Sequence, residues 1–106
     1  MVEDITVARK LVSICNSAAS RDLDFNLTFR TVKRLLTQEK CYFTGEEFVE
    51  DLNVDNSRTF DRLDNNKGYV EGNVVACTRR INESKGNLTI QDLKDIMKGL
   101  KKKKLI

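Results

Sequence analysis

The five residues Asp64-Asn65-Asn66-Lys67-Gly68 constrain this chain more than any other segment, because they separate two runs that read as β-structure. Asparagine and glycine tolerate the positive φ angles that tight turns demand. Before them, Thr59-Phe60-Asp61-Arg62-Leu63 alternates as a half-buried strand does, and after them Tyr69-Val70 begins a returning strand. The centre of the chain is therefore expected to be a hairpin. Asn73 then has the position of a helix cap, ahead of a helical stretch from Val74 to about Ser84 that Lys85-Gly86-Asn87 stops.

Helical periodicity brackets this centre. From Glu3 to about Ser20, Ile5, Ala8, Leu11, Val12, Cys15 and Ala18 recur at three- and four-residue steps and predict one apolar helix face. After the polar stretch Ser20 to Asp24, the residues Phe29, Val32, Leu35 and Leu36 predict a second helix between Thr28 and Glu39. Cys41-Tyr42-Phe43-Thr44-Gly45 suits a short strand leading into a turn, and 46–56 a short helix or loop. Thr89-Ile90-Gln91-Asp92 resembles a capping box opening a last helix, with Leu93, Ile96, Met97 and Leu100 on one face. A chain of 106 residues suits one modest core. The expectation is a single α+β domain over 1–106: a helical part at 1–39, a ββα unit at 41–86, a C-terminal helix at 89–101 and a basic tail at 101–106.

Composition narrows the chemistry. There is no histidine, which excludes Ser-His-Asp and Cys-His catalysis and most catalytic zinc sites. Cys15, Cys41 and Cys77 are odd in number and widely spaced, so reduced thiols are expected, with Cys15 and Cys77 as small core residues. No apolar run is long enough for a membrane span, and the acidic Met-Val-Glu-Asp start is unlike a signal peptide; no membrane partner and a cytoplasmic location are expected. Residues 1–56 carry seven Lys/Arg against ten Asp/Glu, whereas 57–106 carry twelve against six, so a polyanion would bind the second half.

That half holds an ordered pattern: Asp61-Arg62, then Gly68-Tyr69, Asn73-Val74 and finally Asn82-x-x-Lys85. It resembles the HNH endonuclease family, also called ββα-metal or His-Me finger, in its phage and bacterial branch. The resemblance covers about half of the chain. It implies that Asp61 and Asn82 bind one hard cation, Mg²⁺ or Mn²⁺, with Asp61, Arg62 and Asn73 forming the catalytic set. It further implies that Arg62 and Lys85 contact phosphate, and that DNA is the partner. Arg79 and Arg80 cluster near the motif and fit backbone contacts to nucleic acid.

Two departures matter. The family's general base is usually a histidine directly after the metal-binding aspartate, and Arg62 stands there. Arginine stays protonated and cannot take a proton from water efficiently. The family's two zinc-knuckle Cys-x-x-Cys pairs correspond to Cys41 and Thr44, then Thr78 and Ile81; one cysteine in four cannot supply a structural zinc, so none is expected. The resemblance implies one of two functions: a small metal-dependent DNA endonuclease, cutting or nicking, phage-encoded and acting in the host cytoplasm; or an inactive protein on the same scaffold that binds nucleic acid or a host protein. A plainer role exists for each residue as well: Asp61 pairing with Arg62, Asn73 as a helix cap, Asn82 as a surface amide, and the arginines and lysines as a solvated face.

Overall fold

The structure, a computed structural model, describes residues 2–106. In chain order it contains α1 (Asp4–Ser20), α2 (Phe29–Thr37), β1 (Arg58–Arg62), β2 (Val74–Thr78), α3 (Arg79–Lys85) and α4 (Ile90–Lys102). Hydroxyl caps open three of the helices: Thr28 accepts from the Thr31 N–H, Thr78 from Ile81 and Thr89 from Asp92. Thr89 and Asp92 form the reciprocal capping box that the sequence predicts, each side chain accepting from the other's backbone at 3.0 Å. Gly86, at φ +50°, ends α3 as expected.

β1 and β2 pair antiparallel, with Asp61 opposite Val75 and Arg62 opposite Val74. Alternation sends neighbouring side chains to opposite faces. Phe60, Val74 and Ala76 pack with Val7, Ile14, Leu27, Val32 and Leu35 of the α1–α2 layer. Thr59 and Asp61 instead turn toward α3, where Asn82 and Lys85 meet them. β2 is buried throughout, since both faces are covered and the Tyr42 N–H donates to Ala76 O at 2.9 Å beside it. The outer edge of β1 stays uncovered by another strand.

The link between the strands differs from the expected tight hairpin. β2 begins at Val74; Tyr69 pairs instead with the segment after α1, donating to Asp24 O at 2.9 Å and accepting from Asn26 N–H at 3.1 Å. Val74–Thr78 is therefore strand where a helix was expected, because these apolar residues are covered from both sides. Asn73 caps no helix. Its Oδ1 accepts from the Asp64 N–H at 2.9 Å, and its Nδ2 donates to Asp64 O and Gly68 O at 3.1 and 2.9 Å, which ties the 63–73 loop shut. Asn65, Asn66 and Gly68 have no positive φ. Gly68 is required for another reason: a Cβ there would lie 2.1 Å from Asp24 O.

Further expectations need correction. Residues 41–45 form a turn closed by the isolated bridge between Lys40 and Glu47, and 46–56 contain no helix. α1 buries Val7, Ile14 and Ala18; Ile5, Val12 and Cys15 are exposed, so the predicted apolar face is the wrong one apart from Leu11 and Ala18. The helix has apolar residues on two sides, and docking on α2 selects one of them. On α4, Ile96 and Met97 remain exposed.

Candidate functional site

α3 lies along β1 so that successive turns of the helix reach successive residues of the strand. The Asn82 amide nitrogen donates to Thr59 Oγ1 at 3.1 Å and to Phe60 O at 3.4 Å. Thr59 spends its own hydroxyl proton on Cys77 O at 2.8 Å, so it can only accept from Asn82, and this fixes the amide with its nitrogen toward the strand. One turn later Lys85 reaches Asp61: Nζ is 3.0 Å from Oδ2, with side-chain exposures of 3% and 9%. The contact is an ion pair without hydrogen-bond alignment, and Oδ2 has no other donor. The ammonium also approaches Arg62 O at 3.4 Å and the Phe43 ring at 6.0 Å.

At Oδ2, on the α3 side, this arrangement does not fit a divalent cation. Mg²⁺ and Mn²⁺ are held by exposed carboxylate oxygens with room for several waters. Here Oδ2 is enclosed and its charge is met by an internal ammonium, while Asn82, with its amide nitrogen on β1, keeps its oxygen off the strand. Lys85 is correspondingly buried rather than presented to a phosphate.

Arg62 leaves the strand on the other face. Its Nη1 donates to Asn65 O at 3.2 Å and Lys67 O at 2.9 Å, while the guanidinium lies 5.6 Å from the Tyr69 ring centre. It makes no ion pair with Asp61. The two residues nevertheless border one cavity of about 260 Å³ at the uncovered edge of β1, together with Arg21, Tyr69 and Asn82. Asp61, Arg62 and Asn82 are thus brought together, and Asn73 lies behind them as a brace of the loop.

Arg79 and Arg80 are not part of that group. They open α3 at its other end, where Arg79 pairs with Glu83 at 3.1 Å and donates to Asn53 O at 2.9 Å, and Arg80 pairs with Glu46. Their charge is largely balanced on the spot.

Cys41 and Thr78 do meet. Cys41 Sγ accepts from the Thr78 N–H at 3.4 Å and lies 4.0 Å from the Thr78 hydroxyl. Burial pushes the Cys41 thiol up, yet hydrogen bonds from the Thr44 hydroxyl and from backbone N–H groups at 78, 44 and 43 outweigh it and hold the thiol below its usual range. Cys77, wholly buried behind Thr59, is pushed by that burial up to about 11, with the charges of Asp61 and Cys41 acting in the same direction.

The sequence reading missed two cations. Arg21 follows α1 and donates to the Tyr69 hydroxyl at 3.1 Å, which brings it to the Asp61 cavity. Lys10 lies 4.9 Å over the Phe60 ring in an adjoining cavity with Ser13, Ser17 and Arg58, and burial lowers its pKa. The two cavities share Phe60 and Tyr69. The only signal for Lys10 was a lysine on the buried side of α1, visible once the helix phase is known.

The chain is similar to an uncharacterized 29.0 kDa protein of Enterobacteria phage T4 from the dda-modA intergenic region, with 35% identity over 88 residues. The match covers 82% of this chain and 35% of that protein, so the chain spans about a third of the relative's length. No family model and no solved structure matches it. Among the described residues no helix is long and apolar enough to cross a membrane.

Proposed function

We propose that this chain is a phage-encoded, HNH-like ββα protein that binds nucleic acid without hydrolysing it. One observation carries the reading: a buried lysine ammonium stands 3.0 Å from Asp61, on the carboxylate that a hydrolytic metal would need, while arginines border the same cavity from its rim. An arginine at position 62, with its Nη1 spent on loop carbonyls, supplies no base. The polyanion contacts fall on Lys10, Arg21 and Arg62 along the open edge of β1. Arg79 and Arg80, already paired to Glu83 and Glu46, contribute less.

The second reading, a Mg²⁺- or Mn²⁺-dependent nicking endonuclease, is favoured by the meeting of Asp61, Arg62 and Asn82 around one cavity. A single pair of assays separates them. Supercoiled plasmid is incubated with the protein and either ion, with Asp61→Ala as control, and fluorescent single- and double-stranded oligonucleotides are titrated at rising salt. Binding that weakens steeply with salt and falls on replacing Arg21 and Arg62, with no nicking above the control, is the expected result. Nicking that Asp61→Ala abolishes decides for the nuclease, and absence of salt-sensitive binding removes the first reading.

A further inference from the structure

The C-terminal helix carries an apolar stripe that the rest of the chain leaves in water. α4 buries none of its residues; Ile90, Ile96 and Met97 are 38%, 46% and 50% exposed. At 3.6 residues per turn, Ile90, Leu93, Ile96, Met97 and Leu100 fall within about a third of the helix circumference, the width of a seam made for another helix. The stripe does not end at the helix. Leu93 also lines an apolar cleft of about 260 Å³ with Phe43, Ile81 and Leu88, so stripe and cleft form one continuous surface. Scattered single hydrophobics need no explanation, but a contiguous patch of this kind does.

Charge identifies the occupant. Lys94, Lys98 and Lys101 recur at steps of four and three and form a basic row along one flank of the stripe only. Asp92 lies on the opposite flank, and Asp95, three residues before Lys98, lies beside the row on the side away from the stripe. From Thr89 to Lys104 there are six lysines and two aspartates, a net of +4. We infer that the α4 stripe and its adjoining cleft dock an acidic amphipathic helix of a partner protein, apolar side chains entering the seam and carboxylates facing the Lys94-Lys98-Lys101 row.

The other occupants fit less well. A second copy brings two +4 helices together: antiparallel pairing sets lysine row against lysine row, and parallel pairing offers each row only Asp92. A helix lying on an anionic membrane carries cations on both flanks and aromatic residues at the boundary, and α4 has neither. Nucleic acid would engage the lysines and leave the stripe in water.

The test uses the whole chain and a synthetic amphipathic peptide with leucines at heptad positions a and d and glutamates at e and g, followed by fluorescence anisotropy. Saturable binding is expected, weakened at least about tenfold by Ile96→Glu or Met97→Glu, both changes at exposed residues whose folding is checked by circular dichroism. Reversing Lys94, Lys98 and Lys101 to glutamate should move the preference to a peptide with lysines at e and g. No binding, equal binding of the acidic and basic peptides, or insensitivity to these changes overturns the inference. So does a concentration-dependent dimer that excludes the peptide, or binding to phosphatidylserine vesicles in its place.

Discussion

Replacing Lys85 by methionine keeps much of the stem's volume and removes only the charge, leaving the Asp61 carboxylate enclosed with no counter-ion. Both side chains are nearly excluded from solvent, at 3% and 9% exposure, so water cannot take the ammonium's place without opening the α3–β1 contact. Breaking a buried pair by removing one partner costs about 3–5 kcal/mol, because a naked charge remains in a poorly polarisable setting. A domain of this size is stable by roughly 5–15 kcal/mol. With a urea slope of about 1–3 kcal/mol/M, the transition midpoint should fall by about 2 M. Asp61→Leu should be comparably damaging for the converse reason. The double variant Asp61→Leu with Lys85→Met removes both charges together and should recover most of the loss, giving a coupling energy of about 2–4 kcal/mol in the cycle. Urea unfolding followed by circular dichroism measures all four proteins. A coupling below about 0.5 kcal/mol would refute the claim that the pair is desolvated. Asp61-dependent stabilisation of the wild-type chain by millimolar Mg²⁺ would show the carboxylate to be open to metal and would refute the larger argument.

Gly68→Ala should destabilise by about 2–4 kcal/mol, the scale of a steric defect that the neighbouring backbone cannot relieve, since the new methyl meets Asp24 O at 2.1 Å; a midpoint within error of wild type would contradict the close approach. Asn73→Ala removes three loop hydrogen bonds and leaves the Asp64 N–H without its acceptor, an expected loss of about 2–3 kcal/mol with faster amide exchange at Asp64 as its signature. For Cys77 the folded thiol titrates near 11 rather than its ordinary 9, so the neutral form is favoured by the fold. That stabilisation is complete below about pH 9 and is lost as pH rises through about 11. Up to roughly 2–3 kcal/mol should disappear over that window, and Cys77→Ala should flatten this part of the pH–stability curve; an unchanged slope would refute the assignment.

Local signals carried most of the element boundaries. Thr28 and Thr89 announced their helices because a cap is a contact between residues three apart, and Gly86 ended α3 for the same local reason. The β1 segment was legible from its alternation. The run Val74–Thr78 was not, because a fully buried strand loses its period and resembles a helix interior. Asp61, Arg62 and Asn82 were named by the resemblance to the HNH family, and they border one cavity.

What the sequence by itself determined is therefore the starts of α1, α2 and α4, the first strand and the inventory of groups: no imidazole, one Asp-Arg pair in that order, and one Asn-x-x-Lys. Tertiary structure decided which of these meet. It turned α1 by its Val7–Ile14 side, brought Arg21 and Lys10 to the edge of β1, left the α4 stripe in water, and set Lys85 rather than Arg62 against Asp61. The reason is physical. Strand alternation sends residues 61 and 62 to opposite faces, and a helix packed across the strand delivers side chains from 23 and 24 positions away, separations that neither the strand period nor the helix period spans.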